Sequence, residues 1–209
     1  GFVGIGAQET FRLPASVTFQ EGALVEPLAV GLHAVKRAKI TAVDNVLIVG
    51  GGPVGLSVAI WCMFFGARHI IVSDLIADRA EQAGDFGATG FVDASVFNVP
   101  ETYEKIVGSP LSIIFDAVGV AGSMQLLIDY ISNYGEVVVV GLCMVSDRFE
   151  PATEVVKEVE IIFCFCYDHV DFQMTLEMLA QERIDVKGLV TESVGFVKFP
   201  EAFERLKQP

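Results

Sequence analysis

The apolar residues of this chain fall in short, dense runs separated by glycine, proline and charged stretches. The longest run, Val46–Ala67, carries no charge at all. Its length would suffice to cross a bilayer, but three consecutive glycines and Pro53 interrupt it after the first few residues. The β-branched start, NVLIV, reads instead as a buried parallel strand, and VGLSVAIWCMFFGA reads as a helix ending at a glycine. The alternation continues downstream. HIIVSD is a strand, DRAEQAGDFGA a short helix, GFVDA a third strand, and TYEKIVG a loop or short helix. LSIIFDAVG is a fourth strand, AGSMQLLIDYIS a helix, GEVVVVG a fifth strand and VEIIFCFCY a sixth. VDFQMTLEMLAQERI places Phe172, Leu176, Leu179 and Ala180 on one helical face. GLVTESVGF is predicted as a late strand, FPEAFERL as a last helix, and EGALVEPLAVGLHAVKRA, upstream, as one helix. Strands alternating with helices predict an α/β fold, a doubly wound parallel sheet with helices on both faces.

The turn inside the longest run is the first piece of candidate chemistry. Gly50, Gly52 and Gly55 fit G-x-G-x-x-G, with Pro53 and Val54 between the last two. The first glycine permits a tight turn, the second lets the backbone approach a pyrophosphate, and the third lets the helix pack closely on the strand. The N–H groups that open the helix, and its dipole, favour a phosphate there. The next strand ends at Asp74, 19 residues after Gly55. A carboxylate at that spacing accepts hydrogen bonds from the adenosine ribose and repels a 2′-phosphate, which favours NAD over NADP. Arg79 would weaken that preference, but it lies five residues on, in the next predicted helix. Ligands of such sheets bind at the carboxyl ends of the strands. Further cofactor contacts are therefore expected at Asp116–Gly119, with Ala117, Val118 and Gly119 as candidates, and at Val140–Leu142, with Gly141 and Leu142.

Composition narrows the partners. The chain has 209 residues, 52% of them hydrophobic, enough for a sizeable core. Its formal net charge is −13, and no Lys/Arg cluster relieves it. That field repels nucleic acid and anionic lipid, so neither is expected as a partner. The four cysteines form no C-x-x-C pair and sit in apolar surroundings. They read as buried free thiols in a reducing, cytoplasmic setting. No tyrosine is followed by a lysine at i+4, so the Tyr-x-x-x-Lys pair of short-chain dehydrogenases does not occur.

The order EPLAVGLHAV, VLIVGGGPVGL, FGARHIIVSD, DAVG and GEVVVVGL resembles the medium-chain zinc-dependent alcohol and polyol dehydrogenases, the family of sorbitol and threonine dehydrogenases. The resemblance runs from about residue 11 onward, and VTFQEGALVEPLAVGLHAV is its most specific part. It implies a Rossmann-type domain in an enzyme that moves hydride from an alcohol to NAD(P), with zinc polarising the alcohol oxygen. The family's GHE metal motif and four-cysteine zinc lobe do not appear here. The expectation is therefore a coenzyme domain at residues 21–209, preceded at 1–20 by a remnant of a catalytic domain or linker, that binds NAD without turning over an alcohol. Glu26 matches an acidic position beside or on the family's zinc, and equally suits a helix N-terminus. No catalytic residue is assigned. The resemblance also implies homo-oligomers formed through the late strands GEVVVVGLCM and VEIIFCFCY. A zinc-free quinone reductase type and a non-enzymatic NAD-binding module are the alternatives; the intact GGGPVG and Glu26 argue against the first.

Overall fold

A computed structural model describes Gly4, Gly6 and residues 10–206. The opening residues up to position 9, apart from those two glycines, and the last three of FERLKQP lie outside the described residues. Six parallel strands form one sheet in the order β3-β2-β1-β4-β5-β6. They are β1 Asn45–Val49, β2 His69–Asp74, β3 Gly90–Asp93, β4 Ile113–Asp116, β5 Glu136–Val139 and β6 Glu160–Phe163. Helices α1 Phe19–Ala23, α2 Val25–Arg37, α3 Pro53–Phe64, α4 Arg79–Asp85, α5 Val99–Val107, α6 Ser123–Tyr130, α7 Pro151–Lys157, α8 His169–Ala180 and α9 Phe199–Arg205 connect and flank them. β1 lies at the centre, between β2 and β4, so the strand order reverses there. This is the doubly wound architecture predicted from the alternating runs.

The β-branched density of the strands has a direct cause. Side chains alternate between faces along a strand, and both faces of this sheet are covered. Val46, Ile48, Ile70, Val72 and Phe115 join one core with Leu28, Leu32, Trp61 and Leu179. Leu47, Ile71, Ile114 and Val137 join the other with Tyr103, Leu127 and Ile128. The uncharged run Val46–Ala67 is therefore strand, turn and a helix buried from Gly55 to Cys62. Among the described residues no helix is long and apolar enough to cross a membrane.

Gly31 and Ser57 set how closely α2 lies on α3. A Cβ at Gly31 would stand 2.1 Å from Ser57 Oγ and 2.8 Å from the Ser57 backbone carbon. The Trp61 indole N–H donates to the Leu28 carbonyl at 2.8 Å, which satisfies its one donor inside the core.

Several expectations change. The single helix expected over residues 21–38 is two, divided at Leu24, and the first opens on a capping box of Thr18 and Glu21. GLVTESVGF forms no strand. Gly188 lies in a turn at φ +94°, Leu189 and Val190 are half-buried, and residues 191–195 run exposed into a 3-10 turn at Phe196–Lys198, with no strand among the described residues to pair them. PATEVVK, unassigned from sequence, is α7, with Pro151 at its first position. Of the thiols only Cys62 is buried; Cys143 and Cys164 are half-buried and Cys166 is exposed. β6 stops at Phe163, and Cys166 adopts a positive φ, so Cys164 and Cys166 do not share a strand face.

Candidate functional site

The predicted residues gather along the carboxyl edge of the sheet, on both sides of the reversal. Gly50 leaves β1 with φ +100°, a conformation that strains any side chain. A Cβ at Gly55 would lie 1.8 Å from the Gly50 carbonyl oxygen, so only glycine lets α3 close onto the turn. Gly52 differs: a Cβ there would meet nothing within 4 Å. The turn is thus closely packed at Gly55 and open at Gly52, where a ligand can approach the backbone. Pro53 occupies the first turn of α3, where its missing N–H costs nothing. The first-turn N–H groups of Val54 and Gly55 have no carbonyl of their own helix to bond.

Asp74 closes β2 and is tied to this loop. Its Oδ2 accepts the Gly51 N–H at 2.7 Å, and its Oδ1 accepts the Ile76 N–H at 2.9 Å. Arg79 is the first residue of α4 and reaches back to Asp74 Oδ2 at 2.7 Å. Its place in the following helix therefore does not remove it from the site. Burial opposes ionisation of Asp74, but the two N–H groups and the guanidinium outweigh it and hold the carboxyl below its ordinary value.

On the other side of the reversal, the turns after β4 and β5 touch through their main chains. A Cβ at Gly119 would stand 2.4 Å from the Gly141 carbonyl carbon, and one at Gly141 would stand 2.3 Å from the Gly119 nitrogen. Val118 and Leu142 are exposed and Ala117 is half-buried. Val118 Cγ2 lies 2.7 Å from where a Cβ of Gly50 would stand, so this turn rests on the glycine loop. Gly51, whose N–H links loop and carboxylate, has no separate role predictable from sequence. Its one visible signal was its place inside the G-x-G-x-x-G spacing.

Glu26 lies in the first turn of α2 and is exposed. Burial first, and then the negative charge of Glu26, raise the Tyr167 phenol above its ordinary value. Zinc needs three or four nitrogen, sulfur or oxygen ligands. Among the described residues the one such cluster is His33, Asp168 and Asp171, which leaves Glu26 out. That cluster already has its cation: Lys36 Nζ is 2.6 Å from Asp171 Oδ1, and His33 Nδ1 is 2.8 Å from Oδ2. His33 is a hydrogen-bonded packing residue between α2 and α8. The described residues therefore do not form a zinc site by themselves.

Residues 53–181 match the family model described as zinc-binding dehydrogenase. Sorbitol dehydrogenase of Ovis aries is 35% identical over 201 residues, which is 95% of this chain and 56% of that protein. The chain thus spans little more than half the length of such relatives. The 2R,3R-butanediol dehydrogenase of Bacillus subtilis superposes with a TM-score of 0.84 at 28% identity, over 95% of this chain and 57% of that one. An alcohol dehydrogenase of Escherichia coli CFT073, solved with NADH, shares the fold at a TM-score of 0.91 and 21% identity, over 98% of this chain and 60% of that one. By the extent of the family match, this chain belongs to the zinc-binding dehydrogenases.

Proposed function

We propose that this chain is the coenzyme-binding portion of an NAD-dependent alcohol or polyol dehydrogenase. The observation that carries the reading is the Gly50–Gly55 turn, open above Gly52 and hydrogen-bonded through Gly51 to Asp74. In this reading Gly50, Gly52, Pro53, Val54 and Gly55 receive the pyrophosphate, and Asp74, braced by Arg79, takes the adenosine ribose. Ala117, Val118, Gly119, Gly141 and Leu142 line the side left for the nicotinamide. The cofactor, when bound, supplies a hydride acceptor for an alcohol carbon. The chain's own part is to bind, orient and shield; NAD is favoured over NADP because the Asp74 carboxylate repels a 2′-phosphate.

Residues 21–209 form the coenzyme domain in this proposal, and residues up to 20 belong with a catalytic portion or linker. Zinc, in the whole protein, draws most of its ligands from outside these residues, with Glu26 adding one carboxylate. The substrate is a small alcohol or polyol, a class supported by the names of the matched relatives. Neither nucleic acid nor membrane is a partner; the net charge of −13 supports this. The protein works in the cytoplasm, a setting that suits four free thiols. It self-associates through β6, a sheet edge with exposed Phe163, whereas β5 is paired on both sides. The intact glycine turn and the family match favour this reading over a zinc-free reductase or a non-enzymatic module.

The test is alcohol-dependent NADH formation by the 209-residue chain, measured beside NADH binding. Binding without turnover of sorbitol or butanediol is expected. Turnover by this chain alone would overturn the division of labour proposed here.

A further inference from the structure

Asp116 ends β4 and is 1% exposed. Its Oδ1 accepts the N–H groups of Val118 and Gly119, both at 3.0 Å, and its Oδ2 accepts the Ser123 hydroxyl at 2.9 Å. Its carbonyl oxygen accepts the N–H groups of Val140 at 2.9 Å and Gly141 at 2.8 Å. One residue therefore holds the turn after β4, the turn after β5 and the start of α6. Those turns interlock at Gly119 and Gly141, and Val118 rests on Gly50.

The sheet order says what this unit serves. With a phosphate turn after β1 and the ribose carboxylate after β2, a dinucleotide must extend its other half across the reversal, over β4 and β5. The backbone it meets there is the backbone that Asp116 fixes. The Asp116 carboxylate itself is buried, with its bonds made to its own turn and to Ser123, and has no surface to offer a ligand.

We propose that Asp116 is a positioning residue for the nicotinamide half of the cofactor, its side chain acting directly on the Val118–Gly119 backbone and, through the packing of Gly119 on Gly141, on the turn after β5. The inference rests on the dinucleotide reading of the glycine turn. It differs from plain fold maintenance in one respect: Asp116 governs one half of the ligand and not the other.

The experiment measures affinity of the 209-residue chain for NADH and for ADP, which lacks the nicotinamide riboside. In Asp116→Ala, NADH binding weakens about tenfold or more while ADP binding stays within about twofold of the unsubstituted chain. Asp116→Asn restores NADH binding, because Oδ1 still accepts two N–H groups and the amide nitrogen donates to the Ser123 oxygen. Ser123→Ala, which removes one of the three side-chain bonds, shows the same NADH-selective loss at smaller size and serves if Asp116→Ala does not fold. Equal loss of NADH and ADP, unchanged NADH binding in both Asp116→Ala and Ser123→Ala, or an Asn variant as impaired as the Ala variant would each overturn the proposal. An unsubstituted chain that binds neither ligand refutes the dinucleotide reading itself, and this inference with it.

Discussion

Gly51 donates its backbone N–H to the Asp74 carboxylate at 2.7 Å, so the glycine turn and the end of β2 are one unit. Arg79 completes the arrangement by donating to the same carboxylate oxygen, Oδ2, at 2.7 Å. Two features separated in sequence, a phosphate-type turn and a ribose-type acid, are thereby preset to each other before any ligand arrives. Their spacing no longer has to be taken from the motif alone.

The glycines of the turn divide by role, and two single substitutions separate them. Gly55→Ala forces a Cβ against the Gly50 carbonyl and should cost roughly 1–3 kcal/mol of stability, seen as a lower denaturant midpoint. Gly52→Ala meets open space and should change stability by no more than about 0.5 kcal/mol. It should nevertheless weaken NADH binding, since its methyl group stands where the ligand's phosphates approach. Unaltered NADH affinity in Gly52→Ala would speak against a ligand above this turn.

Glu136 gives a pH dependence of opposite sign to that of the well-paired acids. Burial first, then repulsion from Glu160, its register partner on β6, and from Asp44, raise its pKa against the help of Lys39. The folded state then holds the proton more tightly than the unfolded chain. Stability from this group is present on the acid side and declines as pH rises from the ordinary glutamate value, about 4.3, through the raised one. Glu136→Gln should therefore raise the melting temperature at about pH 7.5, with the gain fading towards about pH 4. A gain of the same size at both pH values would show that charge is not its source.

Asp171 should behave the other way. Its side chain is fully buried between α2 and α8, and burial alone would raise its pKa. Lys36, the Asp168 N–H and His33 together lower it instead. Its contribution is present above the ordinary aspartate value, about 3.9, and is lost as pH falls through the lowered folded value. Asp171→Ala should cost about 2–3 kcal/mol at neutral pH, less than a fully buried pair because Lys36 retains access to water. Equilibrium urea unfolding checks this, and a loss below about 0.5 kcal/mol would contradict it.

The unpaired edge of β6 makes association testable by sedimentation. Phe163→Glu and Phe165→Glu change exposed side chains at or just beyond that edge, so the fold should survive. The unsubstituted chain should sediment as a dimer or larger, and the double variant should shift towards monomer with its melting temperature kept. A chain that is already monomeric at tens of micromolar would remove β6 as an interface.

Much of this fold was readable from local pattern, because each buried strand is a β-branched run bounded by turn residues. Val46–Val49 and His69–Asp74 are the clear cases. The pattern failed where tertiary contact decides. Val190 and Val194 give a strand-like stretch to GLVTESVGF, but none of the described strands pairs with it. The break at Leu24 was not read from the pattern, although Gly22 before it and Pro27 after it are poor helix-interior residues. In the site, Gly50, Gly55 and Asp74 were legible through spacing, since each glycine answers a steric demand that spacing encodes. The bonds of Asp116 to its turn and of Arg79 to Asp74 were not, because they depend on where side chains turn after the backbone is placed.

The central claim is that the Gly50–Gly55 turn and Asp74 together hold NAD. Calorimetric titration of the 209-residue chain with NADH and with NADPH tests it most directly. NADH should bind with one site per chain and more tightly than NADPH, and Asp74→Asn should narrow that difference. No binding of either dinucleotide, or a clear preference for NADPH, would contradict it.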